Sequence, residues 1–213
     1  MSGGALIASW AGVGVLVGAA LGIPTRRLLT SDPPRLLAAR PTVPVLTAIL
    51  YAALAWRVGE HFDLLPFSVF VVSGAMLSLI DLVDQRLPSV ILYPATTLVG
   101  LLLAASTVLH PSTPGFVRAL AGMALLAAFY LVLAFLSGGG LGAGDVKLGA
   151  LLGLTLGWVS WSALITATFF GWLAAALAWL LLRATGRAPA DYLLPMGPYL
   201  ILGAFLAIIM PPT

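Results

Sequence analysis

Residues 65–88 read LPFSVFVVSGAMLSLIDLVDQRLP, and this stretch decides the fold. Positions 65–80 carry no charge, and with the flanking residues the run approaches the about 20 residues that cross a bilayer. Its first charge is Asp81, followed by Asp84 and Arg86, and Pro88 closes the segment. A carboxylate at the end of such a run is costly, and it survives where it faces the protein interior or a water-filled cavity. The rest of the chain repeats the pattern. Hydrophobic residues make up 61% of the 213 positions and charged residues 8%, against about 45–50% and about 25% in soluble domains. The composition therefore predicts an all-α, polytopic bundle of transmembrane helices, with no soluble domain of useful size left over.

Working outward, the candidate spans are 5–23, 43–58, 65–83, 90–109, 117–136, 147–158, 160–182 and 195–211, about eight in all. The boundary near Trp158–Trp161 is the softest, since 147–182 also reads as one bent hairpin. The first apolar stretch is long and lacks a basic leader, so it is expected to be a span rather than a cleavable signal. An N-terminus outside puts Arg26, Arg27, Arg35, Arg40, Arg86, Lys147, Arg183 and Arg187 in the cytoplasm and leaves Arg57 and Arg118 outside. That distribution fits the positive-inside rule. It makes the net charge of +3 a topology signal, with no nucleic-acid partner implied. Asp81, Asp84 and Asp145 then all face the cytoplasm. The polar stretch Thr25–Thr42, with Arg26, Arg27, Arg35, Arg40, Pro33, Pro34 and Pro41, reads as a linker rather than a domain. Cysteine is absent, which excludes disulfides, thiol catalysis and cysteine-held zinc.

A second segment, Gly-Leu-Gly-Ala-Gly-Asp-Val-Lys at 140–147, sets Asp145 beside a glycine-rich loop. Asp145 suits the N-cap of the following helix. The glycines on either side of Ala143 also let another backbone, such as an extended substrate, approach closely. Asp81 has the opposite setting, near a helix C-terminus where the dipole disfavours negative charge, so a purely structural Asp is a poor choice there. Asp84, three residues on and near Arg86, reads as an interfacial charge. Two facing carboxylates cannot both ionise cheaply, so they share a proton. One can then take a proton from water while the other polarises a scissile carbonyl. Such peptide hydrolysis needs no metal or other cofactor. His61 and His110 fall in outer loops and read as solvated or interfacial. The glycine run lacks the Gly-Lys-Ser/Thr of a phosphate loop.

Three motifs carry a resemblance. Gly142-Ala143-Gly144-Asp145-Val146-Lys147 resembles the GxGDxK signature of type IV prepilin peptidases, the GxGD membrane aspartyl proteases. Asp81 followed seven residues later by Pro88 is similar to their first motif, and Pro195-Met196-Gly197-Pro198-Tyr199-Leu200 to their C-terminal one. The resemblance covers about residues 65–205. It implies that Asp81 and Asp145 are the catalytic pair and that Asp84, four residues before Pro88, is not. It implies substrate-binding roles for Gly142, Gly144, Lys147, Pro195, Gly197, Pro198 and Tyr199. It further implies one peptidase domain over 1–213, with N-terminal spans in 1–64 and a catalytic core in 65–211. The expected reaction is cleavage of a basic leader from prepilins or pseudopilins at the cytoplasmic face of a bacterial inner membrane. Pilus or secretion assembly components are further candidate partners.

Many members of that family carry two CxxC pairs between their first spans and also N-methylate the trimmed pilin. Here that space is Thr25–Thr42, without cysteine, and the family's early Gly-Ser-Phe-Leu-Asn segment is reduced to Gly18-Ala-Ala-Leu-Gly22. The expectation is a compact form with the protease motifs and without the methyltransferase. The rival reading is a small ion- or proton-coupled transporter using the same carboxylates. Both acids sit near one face rather than mid-span, which argues against it.

Overall fold

Apolar runs become helices, most of them bounded near the expected places; the first continues through Pro24, Arg26 and Arg27 to Leu28, so residues 25–28 are helix and not linker. The computed structural model describes residues 2–31, 42–110, 113–138, 141–186 and 194–210. Among the described residues stand eight α-helices and no strand: α1 (Gly3–Leu28), α2 (Thr42–Val58), α3 (Leu64–Asp84), α4 (Ser89–Leu109), α5 (Thr113–Leu136), α6 (Ala143–Val159), α7 (Trp161–Ala184) and α8 (Gly197–Ile209). Most of the expected linker (residues 32–41, with Arg35 and Arg40), Gly139, Gly140 and Arg187 lie outside the described residues.

The uncertain boundary at 158–161 is a true break. Ser160 is extended, with φ −173°, so it ends α6. Its Oγ accepts the Ala163 N–H at 2.9 Å, which caps the start of α7. Two helices therefore meet at one residue.

Five helices are long and apolar enough to cross a membrane: Gly3–Leu28, Leu64–Asp84, Ser89–Leu109, Pro114–Leu136 and Trp161–Ala184. The chain is a multi-pass membrane protein. Its outer surface suits hydrocarbon, with Leu16, Trp56, Val108 and Phe135 each at least 70% exposed. Within α3, 67% of the apolar window is buried, against 17% to 28% in the other four long helices. The shorter α6 is buried on every face from Leu151 to Trp158. These two helices form the centre, and the other six surround them.

α6 reaches the centre through Gly149, Gly153 and Gly157, one per turn toward α5. A Cβ on Gly153 would collide with the Gly122 carbonyl oxygen of α5. Small residues at this spacing let two membrane helices approach backbone to backbone. On the other flank, Ser68 of α3 gathers α1 and α2. Trp10 Nε1 donates to its Oγ at 2.9 Å and the Tyr51 hydroxyl to its carbonyl at 3.0 Å. Packed helices run in alternate directions, so the C-termini of α1, α3, α5 and α7 share one end of the bundle with the N-termini of α2, α4, α6 and α8. Arg26, Arg27, Arg86, Lys147 and Arg183 belong to that near end, and Arg57 and Arg118 to the far end.

Candidate active site

The two central helices deliver both acids to the near end. Asp81 sits one turn before the end of α3, and Asp145 is the third residue of α6. Both side chains line one cavity of about 320 Å³ with Gln85, Arg86, Leu87, Gly142, Gly144, Leu194, Pro195 and Met196.

Each carboxylate is held by a glycine. Asp81, 5% exposed, accepts the Gly197 N–H on Oδ2 at 2.9 Å. Gly197 is the first residue of α8, whose N-terminal dipole favours a nearby anion. The sequence reading weighed only the unfavourable C-terminus of Asp81's own helix; a second helix start compensates it. A hydrogen bond to a charged group contributes about 1.5–3 kcal/mol. Placing an Asp within a span costs about 2.5–3.5 kcal/mol, so this one contact offsets most of that cost. Only glycine fits: a Cβ at 197 would stand 2.7 Å from Asp81 Oδ2.

Asp145 is not the N-cap that the sequence suggested. Gly142 takes that position, and the two residues bind reciprocally. Gly142 N–H donates to Asp145 Oδ2 at 3.1 Å, and Asp145 N–H donates to the Gly142 carbonyl at 3.0 Å. This is a capping box in which a glycine carbonyl replaces the usual side chain. It starts α6 at Ala143, four residues before the expected span.

The loop between α3 and α4 closes the site. Gln85 has φ +52°, the sole non-glycine with positive φ among the described residues. It ends α3 in the left-handed conformation, donating its N–H to the Asp81 carbonyl at 3.0 Å. A side chain in that region costs roughly 1–2 kcal/mol, and such residues cluster at functional sites. The turn lays Leu87 against the start of α6, where a Cβ on Gly144 would come within 2.8 Å of the Leu87 Cβ.

The residues singled out in the sequence thus divide by position. Gly142, Gly144 and Pro195 line the cavity beside the two acids. Gly197 orients Asp81, and Pro198 follows it in the first turn of α8, where proline costs least. The Tyr199 carbonyl packs against Gly171 of α7. Lys147 Nζ bonds Ser89 Oγ at 2.6 Å and lies 5.1 Å from the Tyr93 ring centroid, tying α6 to α4. Asp84 accepts the Thr30 and Ser31 N–H groups at 2.7 and 3.0 Å and pairs with Arg86 at 3.4 Å. It clasps the chain leaving α1 and is absent from the cavity wall. Gln85, Arg86, Leu87, Leu194 and Met196 line the cavity without having been singled out. All five lie within or beside the two quoted proline motifs, which was the available signal. His61 and His110 stack on each other, 5.0 Å between centroids, at the far end. Among the described residues no cluster of His, Asp and Glu has the geometry to hold a metal.

Comparison with known proteins agrees with the motifs. The type IV leader peptidase family matches residues 68–210. The prepilin leader peptidase/N-methyltransferase of Bacillus subtilis (strain 168) is 32% identical over 170 residues, 78% of this chain and 64% of that protein. Its counterpart from Pseudomonas putida is 31% identical over 170 residues, covering 79% and 58%. That of Dickeya chrysanthemi is 31% identical over 175 residues, covering 80% and 59%. The chain spans between 58% and 64% of the length of these relatives. No solved structure matches it. A family match across more than half of the chain, over the helices that carry both acids, makes this protein a member of the type IV leader peptidase family.

Proposed function

We propose that this protein is an aspartic endopeptidase that removes the basic leader from prepilins or pseudopilins, with Asp81 and Asp145 as the catalytic pair. The observation that carries the reading is their meeting: two acids 64 positions apart, on the two central helices, line one cavity at one end of the bundle. The basic residues of that end support a cytoplasmic orientation under the positive-inside rule, in a bacterial inner membrane. The 1–213 chain then acts as one peptidase domain.

In the reaction, the ionised carboxylate takes a proton from water as the water oxygen attacks the scissile carbonyl carbon. The protonated carboxylate donates to the carbonyl oxygen. The tetrahedral intermediate collapses when the proton held by the first carboxylate passes to the leaving nitrogen and the second carboxylate takes a proton back from a hydroxyl of the intermediate, restoring the carbonyl and the starting pair. The chemistry uses no metal and no covalent intermediate. Gly142, Gly144 and Pro195 line the path of the extended substrate, and Gly142, without a side chain, admits its backbone. Lys147, Gly197, Pro198 and Tyr199 brace the helices that border that path. With no cysteine in the chain, the product is expected to leave unmethylated.

The test is purified protein in detergent, incubated with a prepilin and read by mass spectrometry. The expected product lacks the leader and carries no added methyl group. An uncut prepilin overturns the peptidase reading, and a methyl group added by this chain overturns the second part.

A further inference from the structure

Asp63 stands at the N-cap of α3, where an Asp normally spends its carboxylate on the first N–H groups of its own helix. Here it makes no such bond. Both oxygens go elsewhere. Oδ2 accepts the Trp158 indole N–H at 2.9 Å, across 95 positions of sequence, and Oδ1 accepts the Ser106 hydroxyl at 2.5 Å. Trp158 lies at the C-terminal end of α6 and Ser106 at that of α4. The same turn of α6 is held from α5, where Arg118 donates to the carbonyls of Gly157, Trp158 and Val159 at 2.6, 2.6 and 3.2 Å. The neighbouring His61 Nδ1 accepts the Asp63 N–H at 3.3 Å and lies 3.4 Å from Asp63 Oδ2.

The two helices joined by Asp63 and Trp158 are the two that carry Asp81 and Asp145. Asp63 and Asp81 are opposite ends of α3, about 27 Å apart at 1.5 Å per residue, and Trp158 and Asp145 opposite ends of α6, about 20 Å apart. We infer that Asp63 is a positioning residue: its carboxylate latches the far ends of α3 and α6 and thereby sets the approach of the two acids at the near end. The catalytic half of this inference rests on the peptidase reading above; the geometric half does not. A misplacement of about 1 Å far from the chemistry can cost about 10²-fold in rate, so a lost latch lowers kcat rather than substrate affinity.

The chain has no native cysteine, so spin labels at Leu82→Cys and Ala143→Cys, both exposed, report the near-end separation of α3 and α6. Trp158→Phe removes the donor and keeps the ring; Asp63→Ala removes the acceptors. Asp63→Asn keeps an oxygen for Trp158 and gains a donor for Ser106. The expected result is a shifted or broadened label distance in Trp158→Phe and Asp63→Ala, with native-like values regained in Asp63→Asn. In unlabelled protein, prepilin cleavage should lose about 10-fold to 10²-fold in kcat with KM little changed, again recovered in Asp63→Asn. Distances unchanged in both disruptive variants overturn the latch, as does a changed distance with native kcat. Failure of the native protein to cut any prepilin would refute the peptidase reading, and the distances would still decide the latch.

Discussion

The two ends of the α3–α6 pair are held by opposite means. At the far end, side chains bind across helices: Asp63 to Trp158 and Ser106, and Arg118 to three carbonyls of α6. At the near end each carboxylate is bound by the backbone N–H of a glycine at a helix start, Gly197 for Asp81 and Gly142 for Asp145. Side-chain bonds to α6 knit the far end, and glycines at two helix starts open the near one. A fixed end and an open end on the same two helices let the acids be aimed while leaving a cavity between them. A peptide cleft in a membrane needs both properties, because loose carboxylates lose rate and a filled cleft admits no substrate.

The sharpest way to break the comparison is Gly197→Ala. The new Cβ would meet Asp81 Oδ2 at 2.7 Å and Leu87 Cδ2 at 3.3 Å, so carboxylate or helix start must move. Prepilin cleavage should fall by about 10²-fold with the fold retained. Near-native kcat would show that the Gly197 contact does not aim Asp81. Gly153→Ala probes the seam between the two ends. Its Cβ would collide with the Gly122 backbone, so α5 and α6 must separate, at a cost of about 1–3 kcal/mol. Thermal unfolding in detergent should detect that loss, and an unchanged midpoint would remove the seam from the account.

Much of this was legible in the sequence, for identifiable reasons. The spans could be drawn because charges and prolines bound the apolar runs, as Asp81 and Pro88 do on either side of the α3–α4 turn. The two acids could be paired because each sits in its own motif. The glycine N–H groups that hold them could not be seen, since a backbone donor has no letter in the sequence. Asp63 directly precedes the apolar run of α3. An Asp before an apolar run looks like a helix cap, and the distant Trp158 gives no local sign of their bond. Asp145 was misread as the N-cap because a capping box is recognised by a Ser or Thr three residues earlier, and glycine takes that place here. Gly149, Gly153 and Gly157 were legible as a four-residue stripe, but a stripe does not name the helix it faces.

Smaller effects separate the site from its frame. Lys147→Met removes the bond to Ser89 and the contact over Tyr93, which together contribute about 1–2 kcal/mol. The expected outcome is a lower unfolding midpoint and a fall in kcat of less than about tenfold; a rise in KM with native stability would instead make Lys147 a direct substrate contact. Smallest of all is Asp84→Asn, which loses charge toward Thr30, Ser31 and Arg86 while keeping an acceptor. Cleavage should stay within about threefold of native, because Asp84 is absent from the cavity wall.

The most direct measurement of the central claim is one time course of prepilin cleavage, comparing purified native protein with Asp81→Asn, Asp145→Asn and Asp84→Asn. The first two exchanges preserve shape and remove the ionisable group, so each should reduce the rate by about 10²-fold to 10⁴-fold, while Asp84→Asn tracks the native protein. Full cleavage by Asp81→Asn or Asp145→Asn would contradict the assignment of the catalytic pair.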